Sequence, residues 1–205
     1  MKALIKPSIF FLCVLPAAYL FYAVYLAFSG GENLLGPDPA KTLSLETGEW
    51  AIRLLIVSLA VSPVRYLFNW PYAWKLRRML GLFALFYTFL HLLVFLMFLL
   101  EWQWSEIGTE IVERPFITIG FIAFLMMLSL GVTSFNAIQR KMGRNWKRLH
   151  RLVYAINVLA VLHVVWIVRS SYWDAVLYGT LVFVFLGYRV ARRYYTSVRR
   201  FSLIK

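Results

Sequence analysis

Residues 143–166 read GRNWKRLHRLVYAINVLAVLHVVW. The stretch opens on a basic, aromatic collar and continues as an apolar run of helix length. It carries two of the protein's three histidines, His150 and His163. The third, His91, lies inside a second apolar run, LGLFALFYTFLHLLVFLMFLL at 80–100. A histidine within a membrane span is costly enough to need a purpose. Three of them on two such helices set the question that the rest of the chain answers.

Composition makes the membrane setting firm. Of 205 residues, 61% are hydrophobic and 15% charged, where soluble domains run about half apolar and a quarter charged. The length suits one compact bundle over 1–205 without an appended globular domain. The net charge of +13 does not point to nucleic acid. The lysines and arginines cluster in short segments between apolar runs, where they meet anionic headgroups of the lipid bilayer and set topology. The single cysteine, Cys13, sits in an apolar run, so no disulfide framework and no cysteine-based zinc or iron–sulfur site is available.

The hydropathy pattern predicts an all-α, polytopic protein: a six-transmembrane-helix bundle with spans at about 9–28, 50–66, 79–100, 116–135, 148–168 and 175–190. The first run is too long for the apolar core of a cleaved signal peptide and is taken as a retained helix. Charge sorts by loop. With the termini and the even-numbered loops on one face, eighteen of the twenty-two Lys and Arg fall there. The other face holds Lys41, Arg53, Arg114 and Arg169 together with all nine carboxylates. The positive-inside rule then puts both termini in the cytoplasm. The tryptophans fall near span ends, as interfacial belts do.

This topology gives the histidines a depth. His91 lies thirteen residues beyond Arg78, and His163 lies thirteen beyond His150. Both spans run outward, so at 1.5 Å per residue His91 and His163 sit roughly 20 Å in from the basic collars, at one level in the outer leaflet. They are placed to clamp a flat macrocycle between two ring nitrogens. His150 belongs to the cytoplasmic end. On a continuous helix it would stand about 140° around the axis from His163 and could not share its metal. It is a candidate ligand for an inner cofactor, but the third helix offers arginine where a second histidine would complete that site. Arg77 and Arg78 are topology anchors and candidate partners of haem propionates; Arg53, Arg114 and Arg169 could serve an outer group in the same way. Histidine without carboxylate or thiolate partners is a poor zinc or di-iron set. Two axial imidazoles suit haem iron and electron transfer. No CxxCH is present, so the haem expected is non-covalent b-type, one or two per chain.

The stretches GPDPAKTLSLETGEWA at 36–51, RRMLGLFALFYTFLH at 77–91, ERPFITIGF at 113–121, TSFNAIQRKMGRNWKRLHRLVY at 133–154 and LHVVW at 162–166 resemble the haem-binding membrane subunits of the bacterial periplasmic methionine-sulfoxide reductase system, the MsrQ (YedZ) family of the ferric-reductase-like transmembrane superfamily. The resemblance implies a six-helix inner-membrane protein with b-haem ligands at His91, His150 and His163, and FMN as a further cofactor. It implies electron flow from a cytosolic flavin reductase or the quinone pool to a periplasmic molybdopterin subunit, MsrP, which repairs oxidised periplasmic proteins. Superfamily members commonly carry two histidines on each haem helix; this chain lacks one of the four. No nucleotide-binding GxGxxG motif is present, so electrons would come from a separate donor.

The expected function is therefore that of an electron-transfer subunit, with the substrate chemistry on its partner. Two alternatives stay open: a stand-alone membrane ferric or quinone reductase, and a non-redox transporter or membrane anchor. No FMN motif is legible.

Overall fold

The computed structural model describes residues 4–167 and 172–202. Its described residues form helices and connecting turns, with no strand. Six helical segments are long and apolar enough to cross a membrane: Ile5–Phe28, Pro39–Leu67, Pro71–Leu99, Pro115–Val132, Arg144–Ile167 and Trp173–Thr196.

The helices are α1 (Ile5–Phe28), α2 (Pro39–Leu67), α3 (Trp74–Val94), α4 (Trp104–Glu113), α5 (Pro115–Val132), α6 (Asn136–Met142), α7 (Arg144–Leu149), α8 (Leu152–Ile167) and α9 (Trp173–Ser202). A 3₁₀ turn over Pro71–Ala73 leads into α3, and a π-helical turn over Phe95–Leu99 extends it. α2 starts where Asp38 caps it, its carboxylate accepting from the Lys41 backbone N–H at 3.0 Å, with Pro39 in the first turn. A proline there removes a donor that has no helical partner anyway. α5 uses Pro115 in the same way.

α2 is the central post. Half of its most apolar window is buried inside the protein, against 11–22% for the other five segments. The main core joins Cys13 and Ala17 of α1, Ala51, Leu54 and Leu55 of α2, Leu80, Ala84 and Tyr87 of α3, Met127 of α5 and Ile156 of α8. Large apolar side chains such as Phe11, Phe28 and Phe183 point outward, 66–79% exposed. A bundle whose outer faces meet lipid carries such residues without cost.

Two prolines inside the spans are answered by side chains from other helices. Pro63 has no N–H for the Leu59 carbonyl, and Arg189 of α9 supplies one instead at 2.7 Å. Near Pro16, the Tyr87 hydroxyl enters the α1 ladder: it accepts from the Ala17 N–H at 2.9 Å and donates to the Cys13 carbonyl at 2.7 Å. In a low-dielectric interior, groups freed by a proline must find partners inside the protein. Tyr87 is fully buried, so Tyr87→Phe is expected to cost about 1–3 kcal/mol, read as a lower detergent-denaturation midpoint. An unchanged midpoint would show that α1 recloses its own ladder.

Three local features differ from the sequence expectation. The acidic segment before Pro115 holds a helix, α4. The basic loop before the fifth span folds as α6 and α7, hinged at Gly143 with φ +51°. The fifth span is not one continuous helix: α7 ends at Leu149, and a turn at His150–Arg151 precedes α8. A single helical axis therefore does not relate His150 to His163. Residues 168–171, with Arg169, lie outside the described residues.

Candidate functional site

α3 brings His91, and α8 brings His163, to the same place. Their ring centres are 6.2 Å apart and the ring planes stand at 88°. The two rings are set by one device used twice. The Nδ1–H of His91 donates to the Ser44 carbonyl of α2 at 2.9 Å. The Nδ1–H of His163 donates to the Phe116 carbonyl of α5 at 2.7 Å. With the proton fixed on Nδ1, Nε2 keeps the lone pair in each ring and is the nitrogen open to a metal. Thr47, which donates to the Leu43 carbonyl at 2.6 Å, places its hydroxyl 3.5 Å from the His91 Nδ1.

A glycine sits one helical turn beyond each of those carbonyls. A Cβ at Gly48 would come within 3.2 Å of the His91 ring, and one at Gly120 within 2.8 Å of the His163 ring. Only the absence of a side chain lets the rings lie against these helices. In both cases the histidine follows its carbonyl partner by 47 positions. A shift of 72 positions takes one set into the other, and the same shift relates buried Ala51, Leu55 and Ala84 to buried Ala123, Met127 and Ile156. The hairpins α2–α3 and α5–α8 are thus two copies of one arrangement, each presenting one imidazole.

Imidazole nitrogen binds a first-row metal at about 2 Å, and the ring centre lies ~1 Å further back, so two rings on opposite sides of one metal have centres about 6 Å apart. The observed spacing meets that requirement. Among the described residues no group of three or more His, Cys, Asp or Glu is placed to hold a metal ion. The donor set is two imidazoles, which suits a metal whose other four ligands come from a macrocycle and does not suit zinc.

His150 stands apart at the other end of the bundle. Its ring stacks on Trp146 with centres 4.0 Å apart, and its Nδ1–H donates to the Trp146 carbonyl at 3.1 Å. The Trp146 indole N–H in turn donates to the Thr133 carbonyl at 2.9 Å. In the hairpin correspondence the α3 equivalent of His150 is Arg78, which donates to Asn136 at 2.6 Å on the exposed side. Arg77 turns inward, against Tyr154 and towards His150. The two neighbouring arginines thus take different roles. Of the arginines near the histidine pair's end, Arg53 binds Glu49 and the Tyr178 hydroxyl, and Arg114 pairs with Glu110 at 2.9 Å.

Sequence reading selected the histidines but not Ser44, Gly48, Phe116 and Gly120. Two of these act through backbone carbonyls, which any residue type carries. The available signal was the repeated spacing of a glycine ahead of a histidine in two apolar hairpins.

The family model of the ferric reductase like transmembrane component matches residues 47–161, a range that covers most of both hairpins, holds His91 and His150, and ends two residues before His163. A protein of Xanthomonas euvesicatoria pv. vesicatoria (strain 85-10), named protein-methionine-sulfoxide reductase heme-binding subunit MsrQ, is 41% identical over 185 residues, covering 90% of this chain and 84% of the relative. The chain belongs to the MsrQ branch of the ferric-reductase-like transmembrane family. A relative of the same name from Polaromonas naphthalenivorans (strain CJ2) is 40% identical over 200 residues, 96% of this chain and 89% of its own length. Another, from Xanthomonas campestris pv. campestris (strain 8004), is 42% identical over 185 residues, with 90% and 84% covered. Membership in this family makes the protein a multi-pass membrane protein of a redox class.

Proposed function

We propose that the protein is a b-haem electron-transfer subunit that carries electrons across the bacterial inner membrane to a periplasmic methionine-sulfoxide reductase. The observation that carries this reading is the His91–His163 pair: two rings 6.2 Å apart, each with Nδ1 held by a backbone carbonyl. The haem-binding, methionine-sulfoxide-reductase names of the relatives agree with it.

His91 and His163 would hold the haem iron through Nε2. Ser44 and Phe116 hold the tautomer, and Gly48 and Gly120 leave room for the rings to stand in that orientation. Haem held by the two imidazoles would supply one-electron iron chemistry, which suits electron transfer. The apolar helices around the pair exclude water and ions. In this reading His150 and Arg77 would contribute to a second, inner site, Arg77 as partner of a propionate. The cytoplasmic donor is a flavin reductase or the quinone pool, and the acceptor is the molybdopterin subunit MsrP. FMN belongs to this reading through the resemblance alone, with no residue assigned to it. The distribution of Lys and Arg puts both termini on the cytoplasmic side.

The ring planes supply a sharp test. Purified protein should show a low-spin ferric signal of the strongly anisotropic type that near-perpendicular axial imidazoles produce in electron paramagnetic resonance. Reduction by dithionite should give a six-coordinate b-type spectrum. A high-spin signal, or a preparation without haem absorbance, would overturn the proposal.

A further inference from the structure

At the end of the bundle away from the histidine pair, α2, α3, α8 and α9 line an open groove of about 460 Å³. Arg77, Arg189, Arg192 and Arg193 line it together with Tyr66 and Tyr154, and no carboxylate does. Arg189 is firmly held. Its guanidinium donates to the Tyr154 hydroxyl at 2.8 Å, to the Leu59 carbonyl at 2.7 Å and to the Ser62 hydroxyl at 3.0 Å. Its Nε is buried without a partner. Arg192 lies over the face of Tyr66, and Arg77 is close enough to repel Arg189 electrostatically.

Four guanidiniums gathered around one groove repel each other, and partial burial raises the cost of leaving them uncompensated. The sequence offers no internal counter-charge. All nine carboxylates lie at 32–49, 101–113 and 174, on segments belonging to the other end of the helices. An external anion would offset this charge, most of all at the partly buried Arg189. Planar guanidiniums with several N–H donors each, beside tyrosine hydroxyls, match the oxygens of a phosphate group. The number of arginines exceeds what one carboxylate would engage. The groove also stands at the end of the spans, at the level where headgroups and soluble phosphates both reach.

We propose that this groove binds a phosphate group, presented either by an anionic phospholipid or by a soluble phosphomonoester. The site is separate from the histidine pair and shares only Arg77 with the inner site proposed above.

Native mass spectrometry of the full chain in detergent tests it with paired probes. Phosphatidylglycerol is set against diacylglycerol, and FMN against riboflavin; each second member lacks the phosphate. Selective binding of the first pair's phosphate-bearing member assigns a lipid, and of the second pair's, a soluble ligand. The double variant Arg192→Gln, Arg193→Gln removes two guanidiniums at the groove and should weaken the selected probe by roughly tenfold or more. The corresponding Lys, Lys variant should restore part of the affinity. Haem absorbance, unchanged in both variants, checks that the bundle is intact. Equal binding of phosphate-bearing and phosphate-free probes, or full affinity in the glutamine variant, would overturn the proposal.

Discussion

Replacing His91 or His163 with alanine is expected to remove the same haem signal, and replacing His150 is expected to leave that signal in place. Each of the first pair is the sole imidazole its hairpin brings to the 6.2 Å gap, and among the described residues no further histidine, cysteine or carboxylate cluster stands ready as a substitute. Loss of either ring leaves a five-coordinate arrangement at best and removes one of two bonds that retain a non-covalent cofactor. Reduced-minus-oxidised spectra with pyridine-haemochrome quantitation, on protein normalised by immunoblot, read the effect directly. Unchanged haem content in both His91→Ala and His163→Ala would defeat the assignment.

Glycine variants should grade the same property without touching a ligand. A methyl at Gly120 would come within 2.8 Å of the His163 ring, closer than such contacts tolerate, while at Gly48 the corresponding approach to His91 is 3.2 Å. Gly120→Ala must therefore push the ring off its Phe116 partner, and Gly48→Ala can be absorbed by a smaller shift. Changes in the groups that orient a metal-bound histidine commonly lower metal affinity by about 10–100-fold. Gly120→Ala is expected in that range or beyond, with Gly48→Ala nearer its lower edge. Timed transfer of haem to apomyoglobin separates them. Equal retention in wild type and Gly120→Ala would mean that the glycine does not set the ring.

Hydropathy alone makes the six spans legible, because an apolar run of twenty residues has few other homes. Counting thirteen residues along each helix from its basic collar also puts His91 and His163 at one level, and their rings do lie 6.2 Å apart. Other features are out of reach for physical reasons. The turn at His150 follows no glycine or proline, so nothing local announces it. Arg77 and Arg78 are indistinguishable in composition, and only their angular positions on α3 send one inward and the other to Asn136. Arg189 reads as an ordinary basic residue until Pro63, far away in sequence, frees the Leu59 carbonyl that it meets. The carbonyls of Ser44 and Phe116 leave no trace at all in side-chain chemistry.

The twofold use of one hairpin design has a stereochemical consequence. Because Ser44–Gly48–His91 and Phe116–Gly120–His163 offer near-equivalent surroundings to the two faces of a flat ligand, little distinguishes insertion one way up from insertion flipped over. An unsymmetrically substituted porphyrin seated there would populate both orientations, and its methyl resonances would appear as paired sets whose ratio measures how far the two halves have diverged.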